Sequence, residues 1–111
     1  WGAGQPSPGR ILQIAGFGYA WDPQETPDHH VVEVHDSKHR RLDPKKRYRV
    51  AVSSFLAQGG DGFSALRAVP AEHMPGGDPT DADALVWFMK SLPQPFTAKT
   101  DGRIVKLRRS W

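Results

Sequence analysis

The hydrophobic pattern divides the chain into short strands, glycine-rich breaks and one clear helix. Residues 10–21 (RILQIAGFGYAW) alternate as a strand, with Ile11, Gln13 and Ala15 against Leu12, Ile14 and Gly16, then Phe17, Tyr19 and Trp21 on one face. Gly16 and Gly18 predict a bulge or a close backbone approach. Asp22-Pro23 ends that strand. His30–Asp36 predicts a second strand, because Val31, Val32 and Val34 are β-branched and suit a pleated surface. Residues 37–47 read as a polar, basic connection. Arg47–Ser54 shows the clearest alternation, Tyr48, Val50 and Val52 against Arg49, Ala51 and Ser53. The break FLAQGGDGF follows over residues 55–63, then a short helix over 64–69 and a loop over 70–79. Thr80 and Asp83 form a variant capping box that opens a helix over 81–91, with Leu85, Val86, Met89 and Leu92 on one face. Pro93 and Pro95 stop it. Residues 102–107 (GRIVKL) predict a last strand. The order of elements implies an α+β domain, a mixed sheet with a few helices, and not a doubly wound sheet.

Composition narrows the classes. A 111-residue chain with 38% hydrophobic residues is not wholly disordered and allows little more than one domain. It has no apolar run long enough for a transmembrane helix. No charged segment precedes an apolar core near Trp1, so no signal peptide is expected in this chain. Cysteine is absent, which excludes disulfides, thiolate catalysis and cysteine metal sites. Gly 11 and Pro 10 exceed ordinary usage. They concentrate in residues 1–9, an irregular leader, and in residues 70–79, which leaves a thin core.

Charge adds one feature. The net charge is +3, and Lys38–Arg49 holds seven Lys or Arg and one Asp. Nucleic-acid binding is one reading of that run. A solvated loop and strand edge is the other, and the modest net charge favours it. Arg103, Lys106, Arg108 and Arg109 are expected to fray into solvent. His29, His30, His35 and His39 lack the spacing of a known metal-ligand signature. Trp87 and Phe88 read as core residues of the helix, or Trp87 as a contact to a domain partner.

The stretch richest in chemistry is Phe55-Leu56-Ala57-Gln58-Gly59-Gly60-Asp61-Gly62-Phe63. Its glycines free the backbone for positive φ and close approach to a ligand. Asp61 can accept two hydrogen bonds, as adjacent ribose hydroxyls would donate. Phe55 can offer a ring face to a base. On residue types alone the structural roles are favoured, with Asp61 capping the next helix and Phe55 in the core. The sequence GGDGF lacks the second acid of GGDEF, and no Gly-Lys-Ser/Thr follows to make a phosphate loop.

The wider context resembles the C-terminal domain of the 5'-nucleotidase family. Residues 48–66 (YRVAVSSFLAQGGDGFSAL) are similar to its hallmark Y-[KR]-V-x-x-x-x-F-L-A-x-G-G-D-G-[FY]. Gly9–Gly16, Tyr19–Asp22, Leu42-Asp43-Pro44, the helix at 81–92 and Asp101-Gly102-Arg103-Ile104 match further motifs in order and spacing. The resemblance implies a partial domain of that fold over residues 10–111, with the front of the domain absent. It implies that Phe55 is one of two rings sandwiching a base and that Asp61 binds the ribose. Leu56, Ala57, Gln58, Gly59 and Gly60 would line the pocket between them. Ser54 stands where the family usually has Asn. The second clamp ring and the substrate arginines belong to the missing front.

The same resemblance implies a hydrolase of nucleoside phosphate esters, periplasmic or extracellular. Two divalent metal ions would sit in an N-terminal metallophosphatase domain, with none bound by this chain. The expected partners are a nucleotide or nucleoside substrate and that N-terminal domain. No catalytic residue is expected here, and the chain alone is expected to be inactive. A stand-alone, non-catalytic binding module is the alternative, with a basic nucleic-acid-binding domain the second. An exposed apolar face is expected where missing elements would pack.

Overall fold

A computed structural model describes residues 11–74 and 76–107. The described residues fall in two compact units, one within Trp1–Val50 and Thr100–Trp111 and one within Ala51–Lys99. The leader at 1–9 and the arginines Arg108 and Arg109 lie outside the described residues.

The first unit is a small mixed sheet. Strand β1 (Phe17–Trp21) lies between β2 (Val31–Asp36) and β3 (Ile104–Lys106), antiparallel to β2 and parallel to β3. This is the mixed sheet that the element order predicts. β1 is shorter than the alternation over 10–21 suggests, because Gly16 turns the chain with φ +82° just before it. The ladder irregularity falls between Ala20 and Trp21, where Trp21 pairs with Val31 and Ala20 with Glu33. Gly18 instead provides the close approach. A Cβ there would lie 2.4 Å from Cε1 of His35 and 2.8 Å from the Arg103 carbonyl oxygen. The side-chain-free position lets both neighbouring strands close on β1.

Among the described residues of this unit, Tyr19 is the buried apolar one. Its N–H donates to the Arg103 carbonyl at 2.8 Å and its hydroxyl to the Leu12 carbonyl at 3.3 Å. Burial pushes its phenol above the ordinary value. Asp22 is only 2% exposed. Its Oδ1 accepts from the Gln24 N–H at 2.9 Å, and its own N–H donates to the His30 carbonyl at 2.9 Å. This Asx turn brings the chain from β1 toward β2.

Two expectations for terminal charges are corrected. Arg103 does not fray: Nη1 donates to the Ile14 carbonyl at 2.7 Å, and Nε donates to Asp101 at 2.8 Å. Lys106 lies with Nζ 5.4 Å from the Trp21 ring centroid, a cation–π contact. Both cations accompany β3, and its pairing with β1 brings them onto their neighbours.

The basic connection begins with an ordered turn. Asp36 Oδ1 accepts from the N–H groups of Lys38 and Arg40 at 2.8 and 3.0 Å, and Oδ2 accepts from Arg40 Nε at 2.8 Å. His39 takes φ +58° inside it. These donors, Arg40 first, hold the Asp36 carboxyl at about 2, below its ordinary 3.8. Its contribution to stability is therefore complete above the ordinary value and is lost as pH falls toward about 2. Asp36→Asn should reduce the drop in the urea midpoint between pH 5 and pH 2, a range of about three units set by this linkage. An identical drop in both proteins would refute that role.

The described residues of the second unit hold three α-helices. α1 (Ser54–Ala57), α2 (Ser64–Arg67) and α3 (Asp81–Ser91) have a 3₁₀ turn at Gly60–Gly62 between the first two. α3 has the predicted bounds, and its capping box is complete. Asp83 N–H donates to Thr80 Oγ1 at 3.1 Å, and Thr80 N–H donates to Asp83 Oδ2 at 3.3 Å. The predicted strand over Arg47–Ser54 does not form. Among the described residues no strand pairs with it, and alternation without a partner gives no ladder. Tyr48, Val50 and Val52 are exposed.

Trp87 and Phe88 are exposed at 61% and 56%, so the core reading for them is also corrected. Leu85 and Val86 are exposed as well. Nothing among the described residues covers that stretch of α3, which agrees with the expectation of an exposed apolar face.

Candidate functional site

The site predicted from sequence is one continuous segment of the second unit. Ser53, not a strand end, starts it: its Oγ accepts from the Leu56 N–H at 3.3 Å and caps α1. Phe55 therefore sits in the first turn of a short helix. The residue is 57% exposed, which overturns the core reading. The buried aromatic of this segment is Phe63, at 7% exposure. A second apolar residue at the far end of the glycine cluster was the available signal for it.

Glycines then build the loop. Gly59 follows α1 in the left-handed region at φ +83°, and its N–H donates to the Leu56 carbonyl at 2.9 Å. Gly60 packs under the Phe55 ring, where a Cβ would lie 2.5 Å from Cε1 and Cζ. Only a residue without a side chain leaves the ring that position. Asp61 takes φ +55°, ψ +23°, a left-handed conformation that Asp tolerates better than most residues. Asp61 is exposed, and Phe63 rather than Asp61 holds the N-cap position of α2. The helix-cap reading of Asp61 is thus corrected. Leu56 and Ala57 are half-buried, and Gln58 is exposed. The result is an exposed ring and an exposed carboxylate presented by one glycine-built segment.

Other candidate chemistry does not assemble. Among the described residues no group of three or more His, Asp or Glu side chains is arranged to hold a metal ion. The His35 and His39 ring centroids are 5.3 Å apart, while His35 Nδ1 lies 3.1 Å from the Asp36 carbonyl. His73 and Asp78 form a close ion pair that raises the imidazole above its ordinary value. Among the described residues no helix is long and apolar enough to cross a membrane.

A mixed three-stranded sheet with a few helices and this glycine-built loop define a small α+β domain. The family model described as "5'-nucleotidase, C-terminal domain" matches residues 1–68, and the chain belongs to that family. It is 33% identical over 86% of its length to a 5'-nucleotidase-related protein of Glossina morsitans morsitans, covering 18% of that protein. It is 32% identical over 85% of its length to an apyrase of Tabanus yao, again covering 18% of it. A crystal structure of a 5'-nucleotidase precursor from Thermus thermophilus superposes with a TM-score of 0.77 at 34% identity. That match covers 92% of this chain and 20% of the other. The chain thus spans about a fifth of the length of the relatives it matches.

Proposed function

We propose that this chain is the substrate-recognition part of a metal-dependent nucleotide phosphohydrolase. The observation that carries the reading is the presentation of Phe55 and Asp61 by one segment, with the ring backed by Gly60 and the carboxylate held in a left-handed turn. A ring face and an acceptor pair suit the two ends of a nucleoside, its base and its ribose hydroxyls. Leu56, Ala57, Gln58, Gly59 and Gly60 line the path between them. Such a site binds and orients substrate; it moves no proton.

The reaction belongs to the rest of the enzyme. Two divalent metal ions in an N-terminal metallophosphatase domain would activate water and stabilise phosphoryl charge. The described residues of this chain do not fit a metal site, so none of their roles passes through one. That domain and the front of the C-terminal domain are the proposed partners within the same protein. The many exposed apolar side chains of this chain support further packing against them. A periplasmic or extracellular location is proposed on the strength of relatives named as venom enzymes.

Asp61→Asn in the full-length phosphohydrolase tests the site. Asn also tolerates the left-handed conformation, so the loop keeps its shape while the charge is lost. KM for a nucleoside monophosphate should rise about fivefold with kcat nearly unchanged, the loss of roughly 1 kcal/mol of charge-assisted hydrogen bonding. An unchanged KM would remove Asp61 from the site.

A further inference from the structure

The segment from Gln58 to Gly60 is met by a side chain from outside the predicted site. Arg67, at the end of α2, donates from Nε to the Gln58 carbonyl at 3.2 Å. That carbonyl follows the last turn of α1, where helix carbonyls lack intrahelical partners. The guanidinium also lies against the next residue: a Cβ on Gly59 would be 3.2 Å from Nη2 and 3.3 Å from Nε. One residue further, Gly60 contacts the Phe55 ring. The guanidinium therefore holds the backbone on which the ring rests, and the same backbone leads directly into Asp61.

We infer that Arg67 is a positioning residue for nucleoside binding. It touches no substrate atom; it sets where Gly59 and Gly60 run, and through them the Phe55 ring and the Asp61 carboxylate. A planar cation suits this role, since it donates in a fixed direction while lying against a glycine. The inference rests on the binding role proposed for Phe55 and Asp61.

The test is a double-mutant cycle on the full-length enzyme with a nucleoside monophosphate as substrate. Arg67→Ala should raise KM about fivefold and leave kcat within about twofold, because only ground-state and transition-state binding in common is lost. Arg67→Lys, which keeps a cationic donor, should recover part of that loss. If Arg67 acts through the loop, the KM rise of Phe55→Ala with Arg67→Ala should be smaller than the product of the two single rises, because the part that Arg67 exerts through the ring is already lost. Multiplicative effects would overturn the inference, as would an unchanged KM in Arg67→Ala when Phe55→Ala raises it. If Phe55→Ala also leaves KM unchanged, the binding reading of the loop falls and this inference with it. Should Arg67→Ala fail to fold, Arg67→Gln takes its place in the cycle with the same criteria.

Discussion

If the full-length protein is the proposed phosphohydrolase, Phe55→Ala in it is expected to raise KM for nucleotides by about 5- to 150-fold, the equivalent of roughly 1–3 kcal/mol of base stacking. The change should fall on KM and not on kcat, because in the proposed role the ring holds the nucleoside and touches none of the reacting atoms. Stability should hardly move. Within this chain Phe55 is 57% exposed, so removing its ring opens no cavity among the described residues, and exposed substitutions of this kind stay within about 0.5 kcal/mol. A variant with a normal unfolding midpoint and a raised KM for several bases fits a stacking face. A normal KM for all of them would leave Phe55 without a role in recognition. A lowered midpoint with normal KM would make it a packing residue, covered by other parts of the protein.

Gly18→Ala should do the reverse and damage the sheet. Its Cβ would stand 2.4 Å from His35 Cε1 on β2 and 2.8 Å from the Arg103 backbone oxygen beside β3. The imidazole is a side chain and can turn. The carbonyl cannot, because it accepts the Tyr19 N–H at 2.8 Å and so registers β3 against β1. Overpacking of this kind costs about 1–3 kcal/mol. For a domain of about 60–100 residues each kcal/mol lowers the midpoint by roughly 4–8 °C. Gly16→Ala is the control. It meets nothing within 4 Å, so its cost comes from the left-handed φ of +82° alone. Equal midpoints for Gly18→Ala and the parent would show that the strands can separate at no cost.

These two glycines also mark the boundary of what the sequence made legible. Gly18 reads as a close-approach position from its place among apolar residues. Which strands approach does not, because β3 comes from the far end of the chain. The helix α3 was legible in full. Its cap, its periodicity and its proline stop are contacts within a few residues, and neither unit needs to be assembled for them to form. The strand over 47–54 was the opposite case. Its alternation is as clear as any in the chain, but a strand is completed by a neighbour's N–H and C=O groups. Ser53 then drew the next residues into a helical turn, so Phe55 came to stand on a helix.

The glycine cluster was recognisable from sequence as a break, and the resemblance is what makes it the proposed nucleoside site. Its local turns follow from residue type, since positive φ at Gly59 and Gly62 suits glycine. The roles of its aromatic residues do not follow from residue type. Phe55 and Phe63 are the same residue flanking the same glycines, yet one is exposed and the other is buried. Nor does the sequence reveal that Arg67 reaches back to Gln58, a contact between the last residue of α2 and the residue that follows α1. The sequence by itself determined the family, the α+β class, the capped helix and the positions where the backbone must turn, because these depend on local residue chemistry and motif. The tertiary structure decided strand pairing, burial and the support of the loop, because each is a property of two segments brought together.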